Sequence, residues 1–354
     1  KETSKHRAEA WAVNYIQQGR IVTREGVTFE QVARGFFDWS GPWATDKKAR
    51  GLRLGERWCL ELDRITTNSL IPFFGPLKLT AITAHTIRDF RNKIFTEGRS
   101  GSFINKTLIA LKAILTDAAE RDLIQFVPKV EKAGLGHVKA KGCLTVDEVR
   151  RLFAAEWPDY RCYVANLLSA GTGLRLSEIM AVTLDDVDFQ EGLVRVHRAW
   201  DCKLHRLNEA TKSGRARLVP IGAPIQERLA RLADMNLHRA SKGGAAFLFF
   251  DVNDPERPIA DTRLMRSFYE AMREIGISED ERRRRALSFH SHRVFFTSFS
   301  INSRIPAETV RAVAGHLSGE RMTQLYYRPD EMRELREIQT QLLPPGEIGP
   351  GALN

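Results

Sequence analysis

Apolar residues in the first third of the chain recur at helical spacing and are separated by short polar clusters. Thr28-Phe-Glu-Gln31 has the form of a capping box, and Val32, Ala33, Phe36 and Phe37 follow it at helical intervals, so a helix starts there. Residues 54–70 read as a second helix, closed by Ile71-Pro-Phe-Phe-Gly75, because a proline and a glycine end such runs. Thr83 caps a third helix through Ile87, Phe90 and Ile94. Ile104, Leu108, Leu111, Leu115 and Ala118 mark one face of a long fourth, whose opposite face carries Lys106 and Lys112 either for a polyanion or as a solvated surface. These elements predict a small all-helical domain over residues 25–127, preceded by a separate helix in residues 1–24.

The periodicity lapses over residues 128–142, which are rich in glycine and lysine and read as a flexible basic linker. It resumes at Thr145-Val-Asp-Glu148, a second capping box, with Val149, Leu152 and Phe153 behind it. Residues 163–170 form an unbroken, mostly apolar run that predicts a buried helix. From residue 187 to 221 polar and β-branched residues alternate, so 193–197 and 217–221 are expected as strands of a small antiparallel sheet, with Thr211-Lys-Ser-Gly214 as a turn. Helices are expected again from His290, from Pro306 to the Gly315 stop, and over 331–342, before an extended Pro344-Pro-Gly tail. The fold class is mainly α with a small antiparallel β-sheet, in two domains, the second covering 143–330 with a tail at 331–354.

Composition adds a partner class. The 354 residues are 43% hydrophobic, enough for two cores, and Lys plus Arg outnumber Asp plus Glu by 54 to 44. The net charge of +10 and pI near 9.6 favour a polyanion. Cys59, Cys143, Cys162 and Cys202 are scattered without a Cys-x-x-Cys pair, which excludes a disulfide framework or zinc motif and suits reduced thiols in the cytoplasm. No apolar run is long enough for a membrane span, and no Asp/Glu/His cluster has metal-ligand spacing.

The chemistry-bearing residues lie in the second half. Gly171-Thr-Gly-Leu-Arg-Leu-Ser-Glu178 plants Arg175 between small and apolar residues, either as a planar fork for a phosphate or carboxylate or as a structural pair with Glu178. Lys212 sits at the expected turn, where a solvated charge is the plain alternative. His290 and Arg293, three apart, share one side of a helix start where backbone N–H groups also favour an anion, and His292 stands beside them as a decoy. The run Arg282 to Arg285 suits either backbone phosphates or a local salt-bridged surface. His316 follows Gly315, and Tyr326 and Tyr327 come after it.

In that order, Arg175, Lys212, His290-x-x-Arg293, Gly315-His316 and Thr323-Gln-Leu-Tyr326 resemble the tyrosine recombinase, or phage integrase, family. The segment from Leu70 to Thr83 is similar to that family's core-binding domain. The resemblance implies a SAM-like helical DNA-binding domain before the linker and a mixed α/β catalytic domain after it. It further implies an arm-type module upstream of residues 1–24 and a tail that docks on a neighbouring subunit. Two arginines would hold the scissile phosphate of double-stranded DNA, His290 would act as base, Lys212 would protonate the leaving 5′-oxygen, and His316 would bind phosphate or align the nucleophile. No cofactor is implied. The partners implied are recombination sites, a homotetramer on two synapsed duplexes, and DNA-bending accessory proteins. One departure stands out: the interval from His316 to Tyr326 is one residue longer than the family's usual spacing, which would land on Leu325. Tyr326 or Tyr327 must then be the nucleophile, and the match of Thr-Gln-Leu-Tyr favours Tyr326. A type IB topoisomerase-like enzyme and a DNA-binding accessory protein on the same fold are the competing expectations.

Overall fold

The computed structural model describes residues 26–134, 141–209, 211, 216–239, 246–315 and 329–343. The chain divides into two compact units, Lys1–Val138 and Lys139–Asn354.

In the first unit, helix α1 (Phe29–Ala33) begins at Thr28, whose N–H donates to Gln31 Oε1 at 2.9 Å. Helix α2 (Pro42–Ala49) has no counterpart in the sequence reading, because Ala44 is its only fully buried residue and so it leaves little apolar period. Its signal was the Gly41-Pro42 start. Helix α3 (Glu56–Ile65) does not stop before Pro72 as expected. It widens into one π-turn, Thr66–Leu70, and continues through Ile71–Phe74. The wider turn spares the proline ring the carbonyl it would strike in a regular helix. The run ends at Gly75, where a Cβ would collide with the Ile71 carbonyl oxygen. Helices α4 (Ala84–Thr96) and α5 (Gly101–Glu120) start at their hydroxyl caps, Thr83 and Ser100. The rings of Phe73, Phe74 and Phe90 meet at centroid distances of 4.8 to 5.1 Å, and Leu108, Leu111 and Leu115 are buried in the same core. Lys106 reaches Glu61 at 2.6 Å rather than standing free, whereas Lys112 is exposed.

The expected linker is partly folded. Val130 and Ala133 pack on the helical core, and the backbone of Ala133 exchanges two hydrogen bonds with the Asn105 side chain, at 2.8 and 3.0 Å. Glycine and lysine content alone did not reveal this, because two small apolar contacts leave no periodicity.

The second unit is built around α7 (Tyr160–Thr172), all thirteen residues of which are buried. Its buried Arg161 is neutralised by its own cap, Asp159, at 2.7 Å, and Arg263 reaches the same carboxylate at 2.8 Å. Around α7 pack α6 (Val146–Ala154), α8 (Leu176–Met180), α9 (Ala223–Asp234), α10 (Asp261–Glu274) and α12 (His290–Asn302). The short α11 (Glu279–Arg284) lies between α10 and α12 in the chain, and α13 (Ala307–Ala314) follows α12. Strands β1 (Val187–Asp188), β2 (Leu193–Val196) and β5 (Arg217–Pro220) form one antiparallel sheet in the order β1-β2-β5. Between β2 and β5 the chain makes a second hairpin, β3 (Ala199–Asp201) with β4 (Arg206–Asn208), that the alternation did not separate from the first. The expected turn at Lys212 lies outside the described residues.

The arginine run takes its salt-bridged alternative at three of its positions. Arg282 and Arg283 pair with Glu279 at 2.7 and 2.8 Å, and Arg285 crosses to Glu148 at 2.6 Å. The last helix, α14 (Pro329–Gln339), is not the start of a free tail. Leu335, Leu342 and Leu343 join the second core, so this unit extends beyond the boundary expected at residue 330. Gln339 Nε2, fully enclosed, donates to the carbonyls of Gly171 and Pro220 at 2.9 and 3.0 Å.

His292 is a core histidine. Its ring lies 4.3 Å from that of Phe268 and its Nε2 is 2.9 Å from Asn166 Oδ1. Burial pushes its pKa down to about 3. The unfolded chain takes up a proton below about pH 6.5 while the folded ring stays neutral to about pH 3. Stability should therefore fall across that window by about 1.4 kcal/mol per pH unit. Urea unfolding of wild type and His292→Gln checks this: the variant should lack that share of the slope. Gly173 offers a second test. It ends α7 with φ +69°, and a Cβ there would lie 2.5 Å from the Phe296 ring. Gly173→Ala should cost about 2 kcal/mol or more in thermal unfolding. Gly276→Ala, at φ +88° with nothing within 4 Å, should show the backbone strain alone.

Candidate DNA-phosphate site

Helix α7 has to end abruptly for a site to form at its tip. Gly171 lies so close to α9 that a Cβ would meet Ile225 Cδ1 at 2.5 Å, and Gly173 turns the chain left-handed. The turned carbonyl of Gly173 accepts from Arg293 Nη1 at 2.8 Å. Two residues later Arg175 caps α8, its N–H donating to Glu178 Oε2 at 3.0 Å and its Nη1 to Oε1 at 2.7 Å. Arg175 Nη2 donates to the carbonyl of Gly315, the left-handed end of α13, at 3.3 Å. Of the two expected alternatives for Arg175, the pairing with Glu178 is present, and its side chain stays 23% exposed while that of Glu178 is 1% exposed.

A third arginine belongs to the same group. Arg217, at the start of β5, donates from Nη2 to Glu178 Oε2 at 2.8 Å, from Nη1 to Oε1 at 3.3 Å, and from Nε to Val313 O at 2.7 Å. Its signal in the sequence was a charge sharing a strand face with Val219, where alternation calls for an apolar residue.

The electrostatics follow from this crowding. Burial opposes ionisation of Glu178, but Arg217 and then Arg175 outweigh it and hold the carboxyl below its ordinary pKa. Burial first, and then repulsion from Arg175, push Arg293 down to about 10, with Glu178 opposing, so it remains cationic at neutral pH. His290, at the first turn of α12, is exposed at its edge, yet partial desolvation and the charges of Arg293, Lys141 and Arg175 hold its pKa below the usual histidine value. Three guanidinium groups therefore face a single carboxylate, with a neutral imidazole beside them. Such a group suits a tetrahedral oxyanion, whose charge the planar forks can share over several oxygens.

Of the six residues singled out in the sequence, Arg175, His290 and Arg293 are described and act on one another electrostatically. Lys212, His316 and Tyr326, and Tyr327 with them, lie outside the described residues. Among the described residues no three His, Cys, Asp or Glu side chains gather as metal ligands, and no helix is long and apolar enough to cross a membrane.

Residues 143–333 match the model of the phage integrase family. A putative prophage phiRv2 integrase of Mycobacterium tuberculosis is 25% identical over 256 residues, covering 72% of this chain and 64% of the relative, so the chain spans less than two thirds of that protein. A tyrosine recombinase XerC of Thermodesulfovibrio yellowstonii is 25% identical over 289 residues, 78% of this chain and 87% of that one. Among solved structures, the Tn1549 transposon integrase in complex with transposon right end DNA superposes with a TM-score of 0.64 at 19% identity, covering 88% of this chain and 99% of that one. A lambda integrase tetramer bound to a Holliday junction gives 0.63 at 17% identity, covering 85% and 81%. The fold is the one those integrases share. With more than half of its residues matched by the family model, this chain belongs to the phage integrase family.

Proposed function

We propose that the chain is a site-specific tyrosine recombinase that cuts and rejoins duplex DNA through a 3′-phosphotyrosyl link. The observation that carries this reading is the convergence of Arg175 and Arg293 on the tip of α7 with His290 beside them. Phosphoryl transfer spreads charge over the non-bridging oxygens, and the two arginines supply the opposing charge. The phenol of Tyr326 attacks phosphorus, forming the Oη–P bond and breaking the bond from phosphorus to the 5′-oxygen. A tyrosine has a reference pKa near ~10, so its proton needs a base, and His290, neutral at physiological pH, takes it. Lys212 gives a proton to the departing 5′-oxygen, and His316 hydrogen-bonds the phosphate or aligns the phenol. The link keeps the bond energy, so a 5′-hydroxyl from a second duplex can reverse the step without ATP. Exchange between two sites calls for four copies on two synapsed duplexes, with DNA-bending proteins as candidate helpers.

The longer interval between His316 and Tyr326 favours one rival, a DNA-binding accessory protein whose tyrosine no longer reaches the phosphate. A duplex that the protein selects from a random pool, rebuilt with a nick beside the candidate scissile position, separates them by covalent trapping. Wild type should form a protein–DNA adduct and Tyr326→Phe should form none. Loss in Tyr327→Phe alone would move the nucleophile by one residue. A duplex that is bound but never attached would favour the accessory protein. Strand exchange between two such duplexes, as opposed to relaxation alone, separates the recombinase from a type IB topoisomerase-like enzyme. Arg175→Ala should slow adduct formation by about 10²–10³. The pH profile tests the base. Because the pKa of His290 is lowered, the rate should be level near neutrality and fall only on the acid side of pH 6.5 as the ring protonates. His290→Gln should be slower and lack that acid limb.

A further inference from the structure

We propose that Arg217 is a positioning residue for this reaction, acting through Glu178 to hold the fork of Arg175 in place. The inference rests on the recombinase reading. Arg217 is 3% exposed and Glu178 1%, so neither is available to DNA; what they can do is orient something that is. The hydrogen bonds close a ring. Arg217 grips both oxygens of Glu178, Glu178 grips the side chain and amide of Arg175, Arg175 reaches the carbonyl of Gly315, and two residues back the carbonyl of Val313 accepts from Arg217 Nε.

Each link of the ring has a geometric purpose. Arg175 engages both oxygens from within one turn, through its backbone N–H and its Nη1, so those bonds tie the carboxylate only to its own short helix. Contact with Arg217 at both oxygens fixes the plane of the carboxylate, and with it the direction of the Arg175 fork. Gly315 lies against the Arg217 guanidinium so closely that a Cβ would sit 3.0 Å from Cζ, and only φ +73° lets the chain turn away there. Burying two cations against one anion is a poor way to stabilise a core, because apolar residues of similar volume often do as well or better. An orienting role accounts for it. The ring also meets the chain close in sequence to other candidate residues: β5 begins two residues after residue 215, and α13 ends two residues before His316.

The test uses the full chain and the nicked duplex above, with wild type, Arg217→Lys, Glu178→Gln and the double variant. Lysine keeps the positive charge but cannot hold both oxygens. The single-turnover rate of adduct formation at saturating duplex should fall about 10–100-fold in Arg217→Lys, as is typical when the partner behind a functional ligand is lost. The duplex concentration for half-saturation should change less than about threefold, because Arg217 does not touch DNA. If both act through the same fork, the double variant should be no slower than the slower single one. Thermal midpoints are followed in parallel. Should Arg217→Lys be unfolded at the assay temperature, Arg217→Gln is read in its place.

Adduct formation at the wild-type rate, a deficit confined to duplex affinity, or single-variant losses that multiply in the double variant would each overturn the positioning role. If wild type itself forms no adduct, the recombinase reading fails, and the proposal with it. That result is distinct from an active wild type with an equally active Arg217→Lys.

Discussion

One buried carboxylate constrains the second unit. Glu178 sits where α8, the start of β5 and the end of α13 meet, and without its negative charge Arg175, Arg217 and Arg293 would repel one another at close range. Removing a buried ion from water costs several kcal/mol, so the group persists only if each charge is matched by hydrogen bonds. Glu178 accepts four of them through its two oxygens, and the carbonyls of Gly173, Val313 and Gly315 accept one more each. Positive charge is still in excess after this pairing. That excess is what the phosphate of the proposed reaction would answer.

The rest of the unit serves to hold that group still. Helix α7 is buried along its whole length, so its tip cannot shift without disturbing the core, and the glycines at that tip allow the close turn whose Gly173 carbonyl accepts from Arg293. Gln339 ties α14 to the carbonyls of Gly171 and Pro220, one beside the turn and the other at the end of β5. The helix that follows the tyrosine segment in the chain is thereby fastened to β5, which carries Arg217, and to the tip of α7, from which the chain turns to Arg175. The fold and the geometry of the candidate site share the same contacts here, so loss of one will often disturb the other.

Much of this was legible along the chain. The capping boxes at Thr28 and Thr145 and the caps at Thr83 and Pro306 mark true helix starts, because a cap acts within one turn and needs no tertiary partner. The apolar face of α5 and the buried run of α7 were likewise readable, as was the sheet of β2 and β5. Helix α2, the hairpin of β3 and β4, and the passage of α3 through Pro72 were not, since a short element with few buried residues and a one-turn change of winding leave no period to detect.

The site divides in the same way. Sequence by itself determined which residues could do chemistry, because Arg175, His290 and Arg293 are recognisable from residue type, local spacing and family pattern. It also left Arg175 open between a ligand and a structural partner, and passed over Arg217. Only the tertiary structure showed that Arg175 is paired with Glu178 and that Arg217 reaches the same carboxylate. Residues 178, 217 and 313 are far apart in the chain, and no local rule says that one guanidinium will span them. Nor could spacing tell that His292 would be enclosed by Phe153, Phe268 and Phe289 while His290, two residues earlier, stayed at the surface. Local pattern reports the energy of a turn or a face, whereas burial and charge balance depend on what the folded chain brings alongside.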